Sequence, residues 1–345
     1  MSKTYFRPLG LCYGSDAEQL IASHRAGRLG GSAAIGFTLV ERIRRDGKSV
    51  NREITPYADA LEAIEASRGE FAGLAMDAPR IMGIVNVTPD SFSDGGQYGT
   101  AEAGSHHGME LASEGAHILD IGGESTRPGS DTVPVAEELS RVIPAMKRLS
   151  DAGHVVSIDT RKSSVMREAV KAGAAIINDV SALQHDRESL GAVAELGCPV
   201  VLMHAQGDPR TMQLNPHYDD VALDVYDHLE ERVTACVQAG IPRSRIAIDP
   251  GIGFGKTFRH NVEILNQITL FHGLGVVVLI GLSRKGFVGA LTGEKNAANR
   301  VHGSVGGAVQ AALNGVHVLR VHDVKATVEA LAVARAAMDP RSTEL

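Results

Sequence analysis

The segment ILDIGGESTRPG, residues 118–129, decides the fold. An apolar run of the kind found in buried strands leads directly into Asp, Glu, Thr and Arg side chains separated by three glycines. A surface turn does not need so many different hydrogen-bonding groups at one point. The segment therefore indicates a buried strand that ends at a functional cleft, and other strands of the chain should end in a similar way.

Seven further segments after residue 80 repeat this arrangement. Short β-branched runs alternate with longer stretches whose apolar residues lie three and four apart, as in amphipathic helices. Continuous apolar strands between such helices predict a parallel sheet covered by helices. Eight units predict an α/β fold of the (β/α)8 TIM-barrel type, with an open doubly wound sheet as the alternative. The predicted strands are 81–87, 117–121, 154–158, 175–178, 199–203, 245–249, 276–281 and 316–321.

Polar side chains stand at the carboxyl ends of these strands, which in such barrels form the face that carries the active site. A carboxylate at the end of an apolar strand is costly to bury unless it is paired. For Asp159, a structural pair with neighbouring Arg161 is the alternative to a ligand. Asp249 has no adjacent base, so a ligand with paired N–H donors would satisfy it.

Basic residues concentrate after predicted strands seven and eight, where the tripeptide SRK (283–285), Arg320 and His322 lie. Barrels often bind phosphate at these two loops. In a chain of net charge −7, this concentration predicts a polyanionic ligand, with internal salt bridges as the alternative. Asn86 precedes the loop TPDSFSDGG. Because Mg²⁺ that keeps most of its waters needs only one or two protein oxygens besides phosphate oxygens, Asn86 is a candidate ligand.

Composition excludes several classes of function. The chain has 345 residues, of which 43% are hydrophobic, enough for a sizeable core. Its negative charge argues against sequence-independent binding to nucleic acid or to an anionic membrane. Three cysteines, none in a C-x-x-C pair, indicate a reducing compartment and no structural zinc. We therefore expect a cytoplasmic protein that binds neither nucleic acid nor membrane.

The pattern also suggests where the barrel begins and ends. Residues 1–79 do not continue the alternation and predict a small α+β appendage of unknown role, with a hairpin across residues 46–47 and a helix from 55 to 66. Residues 80–338 should form the barrel, and 339–345 a frayed tail. The segment DPGIGFGKT (249–257) has Pro250 where a P-loop requires glycine, and we interpret it as a flexible strand-to-helix turn.

Eight of these segments together resemble the dihydropteroate synthase family. They run in order between residues 81 and 324: IMGIVNVTPDSFSDGG, ILDIGGESTRPG, SIDTRK, INDVSAL, VLMHAQGDPRTMQ, DPGIGFGKT, GLSRKGF and LRVHDV. The resemblance implies a (β/α)8 transferase of folate biosynthesis. Such an enzyme condenses (7,8-dihydropterin-6-yl)methyl diphosphate with 4-aminobenzoate to give 7,8-dihydropteroate and diphosphate. It also implies Mg²⁺ as cofactor, a homodimer and a target of sulfonamides.

The resemblance implies roles for residues on the pterin side of the site. Asp249, Asn178 and Asp159 would hold the donor and acceptor edges of the pterin, with Lys285 at its carbonyl side. Lys285 and Asp94 are the candidate catalytic residues. Asp94 would stabilise a cationic methylene, formed when diphosphate leaves, or accept the proton of the amine.

The resemblance also implies which residues hold the other ligands. Arg320 and His322 would bind the diphosphate, and Asn86 would reach it through Mg²⁺. Positive groups and a metal neutralise the charge that grows on diphosphate as it leaves. The residues around 4-aminobenzoate and the leaving group would be Thr126, Arg127, Pro128 and Ser283.

Two other hypotheses remain open. Methyltetrahydrofolate-type methyl transferases are also pterin-binding barrels with carboxylates and an asparagine at the pterin. They have no diphosphate to bind, so the SRK tripeptide and the basic residues after strand eight would be unnecessary. Alternatively, the chain could be an inactive homologue that binds a pterin or a partner. Against this, every site residue that the resemblance implies is present.

Overall fold

The computed structural model describes residues 2–87, 100–125, 130–207 and 211–342. Four of the predicted site residues lie outside these ranges: Asp94, Thr126, Arg127 and Pro128.

A small antiparallel sheet begins the chain. The predicted hairpin is confirmed, since two strands pair Asp46 with Ser49 across the turn. The predicted helix from 55 to 66 is wrong for most of its length, because Thr55 instead pairs with Val40 in the same ladder. The elements are β1 (Lys3–Tyr13), α1 (Gly14–Ala22), β2 (Gly27–Arg28), β3 (Ile35–Asp46), β4 (Ser49–Pro56), α2 (Glu62–Glu65), β5 (Glu70–Phe71) and β6 (Leu74–Ala75). We call β1–β4 the amino-terminal sheet.

Eight parallel strands then close into a barrel, as the alternating pattern predicts. Closure is made by pairing between the first and the last of these strands, for example Leu319 with Ile81. The barrel elements are β7 (Arg80–Asn86), α3 (Thr100–Ser113), β8 (Ile118–Gly122), α4 (Val135–Asp151), β9 (Val156–Asp159), α5 (Ser163–Lys171), β10 (Ile176–Asp179), α6 (Ser189–Leu196), β11 (Val200–Met203), α7 (Val221–Gln238), β12 (Ile246–Asp249), α8 (Phe258–Asn266), β13 (Val277–Ile280), α9 (Gly286–Thr292), α10 (Val301–Leu313), β14 (Val318–Val321) and α11 (Val324–Met338).

The β5–β6 hairpin closes the amino-terminal end of the barrel. Phe71, only 1% exposed, and Met76 belong to one apolar cluster with residues from seven of the eight barrel strands. Those residues are Met82, Ile118, Ile176, Val201, Ala247, Val277, Leu279 and Val318. A domain boundary at residue 79, as expected from the sequence, would therefore separate the β5–β6 hairpin from the barrel core, although Phe71 of this hairpin is part of that core.

The amino-terminal sheet packs on the side of the barrel. Tyr5 of β1 and Ile43 of β3 belong to the main apolar core, which also contains the strand and helix residues between the barrel layers. The Tyr5 and Tyr226 rings meet edge to face, with centroids 5.4 Å apart. The appendage is thus anchored to the barrel by apolar burial.

Residues 339–342 depart from the expected frayed tail, and residues 343–345 lie outside the described ranges. Residues Pro340–Ser342 form a 3-10 helix. Arg341 binds both Asp339 and, at 3.0 Å, Glu18 of α1, so side-chain contacts tie these residues to the amino-terminal part of the chain. In the part of the chain that the structure describes, no helix is long and apolar enough to cross a membrane.

Candidate active site

The carboxyl ends of the barrel strands surround a cleft. Six predicted site residues line it: Asn86, Asp159, Ser283, Lys285, Arg320 and His322. Asn178 and Asp249, 5% and 4% exposed, lie at the carboxyl ends of β10 and β12, the two strands that flank β11. The barrel therefore brings all the described site residues to one end.

Arg320 links two carboxylates. Its Nε donates to Asp120 Oδ2 at 2.6 Å and its Nη2 to Asp159 Oδ2 at 2.8 Å. Asn178 Nδ2 donates to the same Asp120 oxygen at 3.0 Å. The cation that pairs with Asp159 is thus Arg320, from the opposite end of the barrel sequence, and not Arg161. Burial raises the pKa of Asp159, while the Arg320 charge acts against that rise.

Asp249 is buried, and among the described residues only one of its two carboxylate oxygens has a hydrogen-bond donor. Its Oδ1 accepts a hydrogen bond of 2.7 Å from the backbone N–H of Gly251. Its Oδ2 lies 3.7 Å from where a Cβ on Gly281 would stand, and no described residue donates to it. Burial raises the pKa of Asp249, against the charge of Lys285. A carboxylate oxygen left in this state can accept a hydrogen bond from a ligand N–H.

Lys285 lies between Asp249 and the turn that follows β12. Its ammonium group donates to the carbonyl oxygen of Ile252 and stands 4.5 Å from the centroid of the Phe254 ring. Burial lowers the pKa of Lys285 to about 8, although Asp249 acts to raise it. At neutral pH this group is mostly charged and is ready to bind an acceptor or an anion.

The turn 250–257 is packed against the end of β11 and is not the flexible turn that we expected. Gly251 has φ +69°, and a Cβ on it would lie 1.9 Å from the carbonyl oxygen of His204. Gly255 has φ +61°, and a Cβ there would lie 2.3 Å from the carbonyl oxygen of Gln206. The glycines are required because backbone meets backbone at these points.

Lys256, which lies within this turn, was not among the predicted site residues. It is 2% exposed, and its Nζ lies 2.8 Å from His204 Nδ1, 3.1 Å from the Phe254 carbonyl and 3.3 Å from the His204 carbonyl. Burial lowers the pKa of Lys256 well below its ordinary value. The only signal was a lysine in a segment that we had set aside as a failed P-loop.

Arg284, one of the basic residues after strands seven and eight, forms an internal salt bridge, which was the alternative to ligand binding. Arg284 pairs with Asp323 through two hydrogen bonds, of 3.1 and 2.5 Å. Arg284 has φ +59°, a conformation that is uncommon for a residue with a side chain. Ser283 Oγ accepts from the backbone N–H of His322 at 3.2 Å and lies 3.1 Å from its Nδ1. Lys285 and His322 thus remain turned to the cleft that they line.

Glu124, in the segment ILDIGGESTRPG, braces its own loop. Its Oε1 accepts from the backbone N–H of Val133 at 3.0 Å and contacts Arg161 at 3.3 Å. Its Oε2 accepts from Lys162 at 3.1 Å. Although burial acts to raise it, the pKa of Glu124 is below its ordinary value because of the Val133 N–H and the two cations. Glu124 therefore holds the loop that follows β8, whereas Asp120 binds Arg320 and Asn178 of other strands.

Asn86 fits the expected role in binding a magnesium ion. Its half-buried side chain ends β7 at the cleft, and its Oδ1 lies 3.9 Å from where a Cβ on Gly122 would stand. Within the described ranges, its amide forms no side-chain hydrogen bond and is available to a ligand. A single neutral oxygen suits a metal whose other ligands are water and phosphate oxygens.

Comparison with known proteins agrees with this geometry. The family described as pterin binding enzyme matches residues 82–322. The dihydropteroate synthase of Escherichia coli K12 is 45% identical over 272 residues, which cover 79% of this chain and 96% of that protein. The Neisseria meningitidis MC58 dihydropteroate synthase is 48% identical over 267 residues, covering 75% of this chain and 93% of that protein.

Two solved structures from Xanthomonas albilineans have the same fold. A dihydropteroate synthase with 4-aminobenzoic acid is 54% identical, with a TM-score of 0.74, and the match covers 77% of this chain and 96% of that chain. A complex of the enzyme with 7,8-dihydropteroate is 51% identical, with a TM-score of 0.70, over 76% of this chain and 95% of that chain.

Proposed function

Because this chain belongs to the pterin-binding enzyme family and, within it, to the dihydropteroate synthases, we propose that its cleft divides into a pterin end and a diphosphate end. The chain is a transferase that condenses (7,8-dihydropterin-6-yl)methyl diphosphate with 4-aminobenzoate to give 7,8-dihydropteroate and diphosphate. The observation that best supports the division is the buried Asp249, whose Oδ2 accepts no hydrogen bond from the described residues and which lies beside Lys285.

At the pterin end, Asp249 Oδ2 accepts from the N–H groups of the ring, and Lys285 donates to its carbonyl oxygen. Asn178 and Asp159 complete the edge. Both are held in place, Asn178 by Asp120 and Asp159 by Arg320. Fixed partners of this kind lower the cost of ordering a site around its ligand.

At the diphosphate end, Arg320 and His322 bind the leaving group, and Asn86 is the protein ligand of Mg²⁺. The bound metal would supply positive charge that neutralises the departing diphosphate. The C–O bond to the methylene carbon breaks with its electron pair going to diphosphate, and the amine lone pair of 4-aminobenzoate forms the new C–N bond. The amine loses one proton to solvent. Ser283 lies by the leaving group. The expected roles of Asp94, Thr126, Arg127 and Pro128 concern residues outside the described ranges.

The test is an assay of the purified protein with both substrates and Mg²⁺. Formation of 7,8-dihydropteroate, separated by chromatography, should depend on both substrates and release one diphosphate per product. Transfer of a methyl group from methyltetrahydrofolate, with no condensation, would favour the methyl transferase alternative. Pterin binding without either reaction would favour an inactive homologue.

Three further properties follow from family membership and belong to the proposal. The enzyme acts as a homodimer, is located in the cytoplasm and is a target of sulfonamides, which resemble 4-aminobenzoate. Its free cysteines, Cys12, Cys198 and Cys236, fit a reducing compartment. Light scattering in solution should give a mass of two chains, and a monomeric mass at assay concentration would contradict the first property.

A further inference from the structure

The amino-terminal sheet contacts the barrel at the start of α7. The family match begins at residue 82, so this sheet lies outside it. Arg52 Nη2 of β4 lies 2.7 Å from Asp220 Oδ2, and Arg45 Nη1 of β3 lies 2.6 Å from Asp224 Oδ1. These four side chains are 17–30% exposed. Ion pairs in such positions are screened less by solvent and salt than fully exposed ones.

The same two carboxylates also cap α7. Asp220 is the residue before the helix, and its Oδ1 accepts from the backbone N–H of Leu223 at 3.2 Å. Asp224 Oδ2 accepts from the backbone N–H groups of Asp219, at 2.9 Å, and Asp220, at 3.3 Å. Each carboxylate thus uses one oxygen for the helix start and the other for an arginine of the sheet. The arginines fix the rotamers on which the cap depends.

The chain just before this cap reaches into the cleft. Tyr218, two residues before Asp220, donates its hydroxyl to the Gly255 carbonyl at 2.7 Å. Gln213 donates to the Gly253 carbonyl at 2.6 Å. These two hydrogen bonds lie on either side of Phe254, the residue whose ring faces the Lys285 ammonium group. The position of the turn 250–257 therefore depends on the segment 213–220.

We propose that Arg45 and Arg52 are positioning residues for the active site. By holding the carboxylates that start α7, they fix segment 213–220, which in turn holds the turn with Phe254 against Lys285. The amino-terminal sheet then serves the barrel's own reaction and needs no chemistry of its own. This inference rests on the proposed function, because it assigns the sheet a part in that reaction.

The experiment compares Arg52→Gln with Arg42→Gln. Arg42 lies in the same hairpin but pairs with Glu53 of the sheet, at 2.5 Å, and it serves as the matched control. Arg52→Gln also removes the contacts of Arg52 Nη1 with Glu41, at 3.3 Å, and with Gln267, at 2.9 Å. We expect KM of at least one substrate to rise roughly three- to tenfold, with kcat within about twofold. Arg42→Gln should match the wild type, and Arg52→Lys should restore KM in part.

A second variant approaches the same contact from the barrel. Asp220→Asn keeps a good helix cap but loses the ion pair, since asparagine caps helices as well as aspartate does. Its KM should rise as in Arg52→Gln, and the double variant should be no worse than either single one. Amide hydrogen exchange of residues 213–223 should quicken in Arg52→Gln and not in Arg42→Gln, and this reading does not need an active enzyme.

The outcomes separate the two proposals. A wild-type protein without condensation activity would refute the proposed function, and the exchange measurement would then decide the inference alone. An active wild type with equal KM values and equal exchange in Arg52→Gln and Arg42→Gln would overturn the inference. So would a lower melting temperature of Arg52→Gln with unchanged KM and exchange, because the arginine would then only stabilise the fold.

Discussion

Replacing Asp249 by asparagine should weaken pterin binding without weakening the fold. Asparagine can still accept the hydrogen bond from the Gly251 N–H with its amide oxygen. Its NH₂ group then stands where Oδ2 would accept from the pterin, so that two donors face each other. A hydrogen bond to a charged group contributes about 1.5–3 kcal/mol, which corresponds to an affinity loss of about 10- to 150-fold.

The same substitution should leave the free energy of unfolding unchanged or raise it. Burial raises the pKa of Asp249 although Lys285, Arg320 and Lys256 act to lower it. The folded state therefore binds the proton more tightly than the unfolded chain does. The buried charge of Asp249 lowers the free energy of unfolding by its full amount above the pKa that Asp249 has in the folded state. This destabilisation disappears as the pH falls towards 3.8, the ordinary pKa of an aspartate. Asparagine avoids this cost at pH 7.

Two measurements test the pair of expectations. Urea unfolding at pH 7 should show a free energy of unfolding for Asp249→Asn equal to or above that of the wild type, and any gain should shrink as the pH is lowered. Calorimetric titration with a pterin, in the presence of diphosphate and Mg²⁺, should show the weaker binding. A variant that unfolds at lower urea concentration and binds the pterin normally would make Asp249 a structural residue and refute the reasoning.

Four other outcomes are expected. Excess chelator should abolish turnover but leave the melting temperature unchanged, because water and phosphate oxygens provide most of the metal's ligands; full turnover in chelator would exclude the metal. Since the pKa of Lys285 is about 8, affinity for the pterin diphosphate should fall as the pH rises through that value, and the fall should be missing in Lys285→Met. Gly251→Ala should destabilise the protein by at least about 2 kcal/mol, because it combines a positive φ with a backbone overlap. Gly306→Ala, at an open position in α10, should stabilise it by roughly 0.5–1 kcal/mol, as urea unfolding of both variants would show.

The strands of the barrel could be predicted because each is a short apolar run with polar residues at its carboxyl end. Their observed bounds differ from the predicted ones by two residues or fewer. The helix at 55–66 was predicted from a local capping signal, Thr55 before Pro56. That signal was overridden by pairing of β4 with β3, which no local pattern records.

The partners of the site carboxylates could not be predicted for a similar reason. Arg320 contacts Asp120 and Asp159 only because the closed barrel places the carboxyl ends of β14, β8 and β9 close together. Adjacent residues in the sequence suggested Arg161 instead. Lys256 was hidden because its environment is made by the end of β11, about fifty residues earlier in the chain.

The closure of the barrel has a consequence for its synthesis. The pairing of β14 with β7 joins Leu319 to Ile81, 238 residues apart (319 − 81). At a translation rate of about 5–20 residues per second, roughly 12–48 s pass between the synthesis of these two strands. During that time β7 can pair with β8 on one side only. Its other edge is an unpaired row of N–H and C=O groups on a nascent chain, open to pairing with a second chain on the same messenger. Production of this enzyme should therefore depend on chaperones that bind ribosome-borne chains.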